Sequence, residues 1–126
     1  MSMVSIHGKP IVGRLYCVEY QDGAVKIGCS TQVAERLYAL QGWYRGRPSR
    51  IDRVYVGEIT PDMAWAEQAA TFDLPRRTWK EIYDVSFSQA VRRIKKAVPD
   101  RHPFVLYNRE EVIHEFPFLR RYEFDH

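Results

Sequence analysis

The sequence predicts a single small α/β domain, and three observations carry that expectation. A β-branched and aromatic run at 15–20, then Gln21-Asp22-Gly23 and a second extended run, has the pattern of a hairpin. Two later stretches place a proline- or serine-led start signal ahead of helical spacing. The chain has 126 residues, 45% of them hydrophobic and 13% aromatic, which suffices for one core and falls short of two domains.

The elements follow in order. Leu-Tyr-Cys-Val-Glu-Tyr at 15–20 supplies the first strand and residues 24–27 the second. Gly28-Cys29-Ser30-Thr31 interrupts the extended pattern, and Ser30 or Thr31 caps a helix whose Val33, Leu37 and Leu40 form an apolar stripe ending before Gly42. That stripe turns Arg36 to another face. Residues 51–59 read as a third strand, expected to be central because Val54, Tyr55 and Val56 are consecutive bulky side chains. Thr60 as cap and Pro61 in the first turn predict a second helix to about Phe72. Its apolar set is Trp65, Ala69 and Phe72, which leaves Glu67 off the stripe, facing a cleft or water. Asp73-Leu74-Pro75 ends this helix, and residues 81–85 add a short extended segment. Ser86 with Gln89 has the form of a capping box for a helix through Val98, closed by Pro99.

The body is therefore expected over residues 1–98, with 99–126 as a C-terminal extension. The extension holds Phe104-Val105-Leu106-Tyr107 and Phe116-Pro117-Phe118-Leu119 and is expected to dock on the body or on a partner, such as a host protein. No apolar run approaches the roughly 20 residues that cross a bilayer, and residues 1–9 lack the pattern of a secretory signal. A cytoplasmic location without membrane association is expected, the cytoplasm of a phage-infected host included. Cys17 and Cys29 fit neither a disulfide framework nor a zinc signature and read as core or near-core thiols.

Charge divides the chain unevenly. Residues 1–98 hold 15 basic and 10 acidic groups, whereas residues 99–126 hold 4 and 6. Arginine dominates at 14 against 5 lysines, and Arg36, Arg45, Arg47, Arg50 and Arg53 fall in an 18-residue interval whose one acid is Asp52. Guanidinium forks suit phosphate oxygens, so this segment is either a phosphate contact or a solvated basic loop.

Four polar groups stand at the ends of regular elements: Tyr16, Lys26, Arg36 and Glu67. Together they have the chemistry to cleave a phosphodiester. Glu67 can hold a divalent cation, Arg36 can neutralise charge on phosphoryl oxygens, and Tyr16, with Lys26 as a cationic neighbour, can orient or deprotonate water. Singly, each has a plainer role: a core aromatic, a strand lysine facing solvent, a snorkelling arginine, a surface carboxylate.

The order of these residues resembles the GIY-YIG nuclease superfamily. Leu15-Tyr16-Cys17 comes first, Val25-Lys26-Ile27-Gly28 second, then a Ser/Thr-capped helix with Arg36-Leu37 and Leu40-Gln41, and Glu67 on a later helix. The second motif, with Arg76-Arg77 and Glu81-Ile82-Tyr83 after Glu67, resembles the phage-type branch in particular, over residues 13–85. The resemblance implies a small three-stranded antiparallel sheet flanked by helices and DNA cleavage with one Mg2+ or Mn2+ ion. It implies Tyr16 as candidate base, Lys26 at the second-motif position, Arg36 on phosphate and Glu67 as the metal carboxylate. It also implies a structural Gly28, where no Cβ intrudes between strand and helix. Arg45, Arg47, Arg50, Arg53, Arg76 and Arg77 are the expected nucleic-acid contacts. A metal-dependent DNA endonuclease or nickase, monomeric or a homodimer, is the expected function. A catalytically inactive nuclease-like DNA-binding or protein-interaction module, such as a phage-encoded regulator, is the alternative.

Overall fold

A computed structural model describes residues 10–40, 50–76 and 82–98 of the chain. Its elements run β1 (Gly13–Tyr20), β2 (Val25–Ser30), α1 (Val33–Leu40), β3 (Ile51–Thr60), α2 (Met63–Thr71), β4 (Ile82–Tyr83) and α3 (Phe87–Ala97). The strands form one antiparallel sheet in the order β3-β1-β2-β4. Helices cover both of its faces, so this is a small α/β domain. The expected sheet of three strands gains a fourth from Ile82–Tyr83, which pairs with Val25 and Lys26.

The β1–β2 hairpin turns at Asp22 and Gly23. Gly23 has a φ of 89°, a left-handed conformation that costs glycine little, and the Asp22 carboxylate accepts from the Ala24 amide at 3.0 Å. The break expected at residue 28 falls later: β2 continues to Ser30 because Gly28 pairs with Tyr16 and Ser30 with Arg14. Gln32 then opens α1, its carbonyl accepting from the Arg36 amide at 3.1 Å, while the Ser30 hydroxyl accepts from the Gln32 amide in a local turn.

β3 lies at the edge of the sheet beside β1, not at its centre. Its consecutive bulky residues report two covered faces instead: Val54 and Val56 pack with Leu37 and Leu40 of α1, and Tyr55 packs with Phe87 and Ile94 of α3. The start of α2 also differs from expectation. Thr60 is still paired with Gly13 in the sheet, so the cap passes to Asp62, whose carboxylate accepts from the Trp65 amide at 3.2 Å. The helix buries Met63, Ala66, Glu67 and Ala70. The expected apolar set faces outward, Trp65 at 66% exposure and Phe72 at 84%, and Glu67 turns inward. The Ser86–Gln89 capping box forms as expected, with both reciprocal bonds present, and Val98 closes α3.

Two cores result from strand alternation. Leu15, Cys17, Val25, Ile27 and Tyr55 point to α2 and α3. Tyr16, Val18, Tyr20, Ile51, Val54 and Ile82 point to α1. The end of α1 is fastened to the second core by the buried Tyr20 hydroxyl, which donates to the Leu40 carbonyl at 3.1 Å. Cys17 is a buried free thiol and Cys29 a half-buried one. No described helix is long and apolar enough to cross a membrane. The expected extension at 99–126 lies outside the described residues.

Candidate functional site

The face toward α1 gathers the first- and second-motif residues. Tyr16 and Gly28 are register partners on β1 and β2, and the tyrosine ring lies directly over the glycine. A Cβ on Gly28 would meet the Tyr16 hydroxyl oxygen at 2.6 Å and the ring carbon that bears it at 2.8 Å. Gly28 thus gives up a side chain to seat a phenol. The expectation of a cradle at the strand-to-helix junction changes accordingly, since Gly28 stands within the strand and its near neighbour is Tyr16.

Arg36 comes to the same place from α1. Its Nε donates to the Tyr16 hydroxyl in a long hydrogen bond of 3.4 Å. The helical stripe makes this possible: Leu37 and Leu40 are buried against β1 and β3, and Arg36, half-buried beside them, reaches the phenol. Lys26 lies on the same strand face two residues from Gly28, between Val18 of β1 and Ile82 of β4. It is buried at 1% exposure and not turned to solvent.

Glu67 sits on α2, which packs against β1, β2 and α3 on the sheet face opposite Tyr16, Lys26 and Arg36, and it is buried at 4% exposure; the structure does not bring it to the other three. Among the described residues, Lys26 and Glu67 are the charged side chains that are buried. Removing an ammonium and a carboxylate from water costs solvation that other groups must offset, and neither side chain is without a partner. The helical spacing that kept Glu67 off the Trp65 stripe is real; what it cannot show is which side of the helix the sheet covers.

Arg14 belongs with this cluster. It stands two residues before Tyr16 on β1, hence on the same face, and its Nη1 donates to the Gly57 carbonyl at 2.9 Å. Strand alternation alone carries that signal. A β3 irregularity opposite residues 14–16 accompanies it.

The expected nucleic-acid contacts are placed differently. Arg53 makes a double hydrogen bond to Glu19, at 2.7 and 3.0 Å, and lies 4.5 Å over the Phe87 ring, on the sheet face away from Tyr16. The Glu19 carboxylate raises its pKa. Arg50 pairs with Asp52 at 3.3 Å, and Arg76 lies 5.7 Å from the centre of the Tyr83 ring. These three are engaged within the fold and do not join the Tyr16 cluster. Arg45, Arg47 and Arg77 lie outside the described residues.

Among the described residues no three His, Cys, Asp or Glu side chains are grouped to hold a metal. Glu67 alone offers one hard oxygen donor group. A divalent cation of the Mg2+ kind keeps water and substrate phosphate in most of its shell, and Glu67, at 4% exposure and already partnered, presents little surface for such a shell in this conformation. Comparisons with protein-family models, with curated proteins and with solved structures return no match for this chain.

Proposed function

We propose that the chain is a metal-dependent DNA endonuclease that hydrolyses phosphodiester bonds. The observation that carries this reading is the contact of the Arg36 guanidinium with the Tyr16 hydroxyl above Gly28, a seat that any side chain at residue 28 would fill. Arg36 has donors beyond the one given to the phenol, and these meet a phosphate oxygen. Positive charge then stands beside the phenol oxygen, the atom that takes or gives a proton as water attacks phosphorus. Lys26 adds a second cation on the same strand face, and Arg14 a third at the open end of the hairpin. Glu67 is the carboxylate assigned to Mg2+ or Mn2+, a cation that would supply charge to the scissile phosphate. It lies on α2, across the sheet from Tyr16 and Arg36, so this part of the reading requires DNA binding to bring the two together.

Incubation of the purified protein with supercoiled plasmid and Mg2+ or Mn2+ tests the reading. Nicked product is expected, with loss in Arg36→Ala and in Glu67→Gln, an isosteric change suited to a buried site. No nicking in either metal, or nicking indifferent to both substitutions, would sink it.

A second reading is a non-cleaving nucleic-acid-binding module with this architecture. The burial of Tyr16 and Lys26, each at 1% exposure, favours it, because side chains closed to water can serve packing alone. It predicts DNA retention, weakened by salt, without nicked product.

A further inference from the structure

We propose that the outer surface of α2 and α3 binds single-stranded nucleic acid, stacking bases on Trp65 and Phe72 and placing Arg92 and Lys96 along the phosphates. Trp65 and Phe72 are large aromatics that the fold leaves open, at 66% and 84% exposure. They stand seven residues apart, Trp65 on α2 and Phe72 capping its end in helical conformation, about 10 Å at 1.5 Å per residue, with exposed Ala69 between them. Glu67 points inward and Gln68 is the neighbouring outer position; the carboxylates that flank the stripe are engaged, Asp62 accepting from the Trp65 amide at its start and Asp73 pairing with Arg93 at its end.

α3 packs directly against α2 and supplies the charge. Arg92, Arg93, Lys95 and Lys96 put four cations in five residues of a helix that has no acid. Phe87, Ala90, Val91 and Ile94 are its buried side, so Arg92 and Lys96 face outward, while the Lys95 ammonium lies 5.7 Å from the centre of the Tyr55 ring on the β3 flank. Arg93 pairs with Asp73 at 2.5 Å, which ties the end of α2 to the middle of α3 and neutralises the nearest acid. This pair brings the Phe72 end of α2 beside the turn of α3 that precedes Lys96.

Open aromatic rings beside a row of cations match a strand whose bases are unpaired. Stacking needs an accessible base face, which duplex DNA withholds, and phosphates supply the complementary charge. An acidic protein partner would satisfy the cations and leave two separated, flat rings without a reason. The surface lies on the far side of the sheet from Tyr16 and Arg36, so the proposal goes beyond the cleavage reading and stands or falls without it.

The test is fluorescence anisotropy of a labelled DNA strand of roughly 20 nucleotides, long enough for a binding site of this kind, used alone and annealed to its complement, without metal. The single strand is expected to bind more tightly than the duplex. Trp65→Ala with Phe72→Ala should weaken it about tenfold or more, and Trp65→Tyr with Phe72→Tyr should restore most of the binding. Arg92→Gln with Lys96→Gln should shallow the plot of log affinity against log salt by about 0.7 per lost contact. All four side chains are exposed, and circular dichroism checks the fold. Equal binding of duplex and single strand with no effect of the aromatic changes would overturn the proposal. Absence of strand binding would overturn it as well, and a shift from dimer in the wild type to monomer in the aromatic variant would then mark this surface as a contact between copies.

Discussion

The two faces of the sheet are made from the same strands and carry different chemistry. Toward α2 and α3 the strands offer Leu15, Cys17, Val25, Ile27 and Tyr55, closed by Phe87, Ala90 and Ile94. Toward α1 the same strands offer Val18, Tyr20 and Val54 but also a buried lysine, a glycine in place of a side chain and a phenol met by an arginine. Both faces are deeply buried, so exposure does not distinguish them. The distinction is that on one face the strands contribute apolar volume alone, the one buried charge there being Glu67 from α2, whereas on the other the strands themselves give up volume for polar atoms, at a desolvation cost that packing alone does not call for.

The largest effect should come from the apolar face. Ile94→Ala removes a fully buried side chain between α3 and the sheet and is expected to cost about 2–5 kcal/mol in chemical denaturation. Arg36→Ala on the other face should cost under about 1 kcal/mol and abolish plasmid nicking. Equal stability losses at both would erase the contrast.

Next is Gly28→Ala. Its Cβ would press on the Tyr16 ring at 2.6–2.8 Å, an overpacking worth about 1–3 kcal/mol. Combining it with Tyr16→Phe removes the nearer of those contacts, so the double variant should be less unstable than the sum of the single changes. Strict additivity would show that the phenol does not sit over Gly28.

A smaller effect belongs to Arg53. Its pair with Glu19 has two good bonds but is partly exposed, so Arg53→Ala should cost about 0.5 kcal/mol after solvent screening, and less at high salt. A loss several times larger would mean that stacking on Phe87 outweighs the ion pair.

The smallest effect is chemical. Burial pushes the Cys17 thiol well above its ordinary 9.0, so it stays protonated in the folded protein at pH values where the unfolded chain ionises. Stability is therefore expected to fall as pH rises above 9.0, because the unfolded state gives up a proton that the folded state retains, and Cys17→Ala should flatten that fall. A thiol reagent near neutral pH should label Cys29 in the native protein and Cys17 only after denaturation. Equal native labelling would show that the apolar face opens to solvent.

Much of this was open to reading from local pattern. The hairpin at Asp22-Gly23, the Ser86–Gln89 box and the Leu37–Leu40 stripe depend on residues within a few positions of one another, and each formed as expected. The failures share a cause. β3 was expected at the centre and lies at the edge, Thr60 was expected to cap and remains in a strand, and the Trp65 stripe was expected inside and faces out. Each of these depends on which distant element arrives to pair with or cover the segment.

Alternation along the chain already separates Tyr16, Lys26 and Gly28 from Leu15, Val25 and Ile27, because a strand has period two whatever surrounds it. Helical spacing likewise sets Arg36 off the stripe of Leu37 and Leu40. Tertiary structure alone decided that Tyr16 lies over Gly28 within reach of Arg36, that Lys26 and Glu67 are buried, and that Trp65 and Phe72 are open. Helical spacing gives the angle between side chains but not the direction of the sheet, and a glycine's missing Cβ acquires meaning only when another strand places a ring above it.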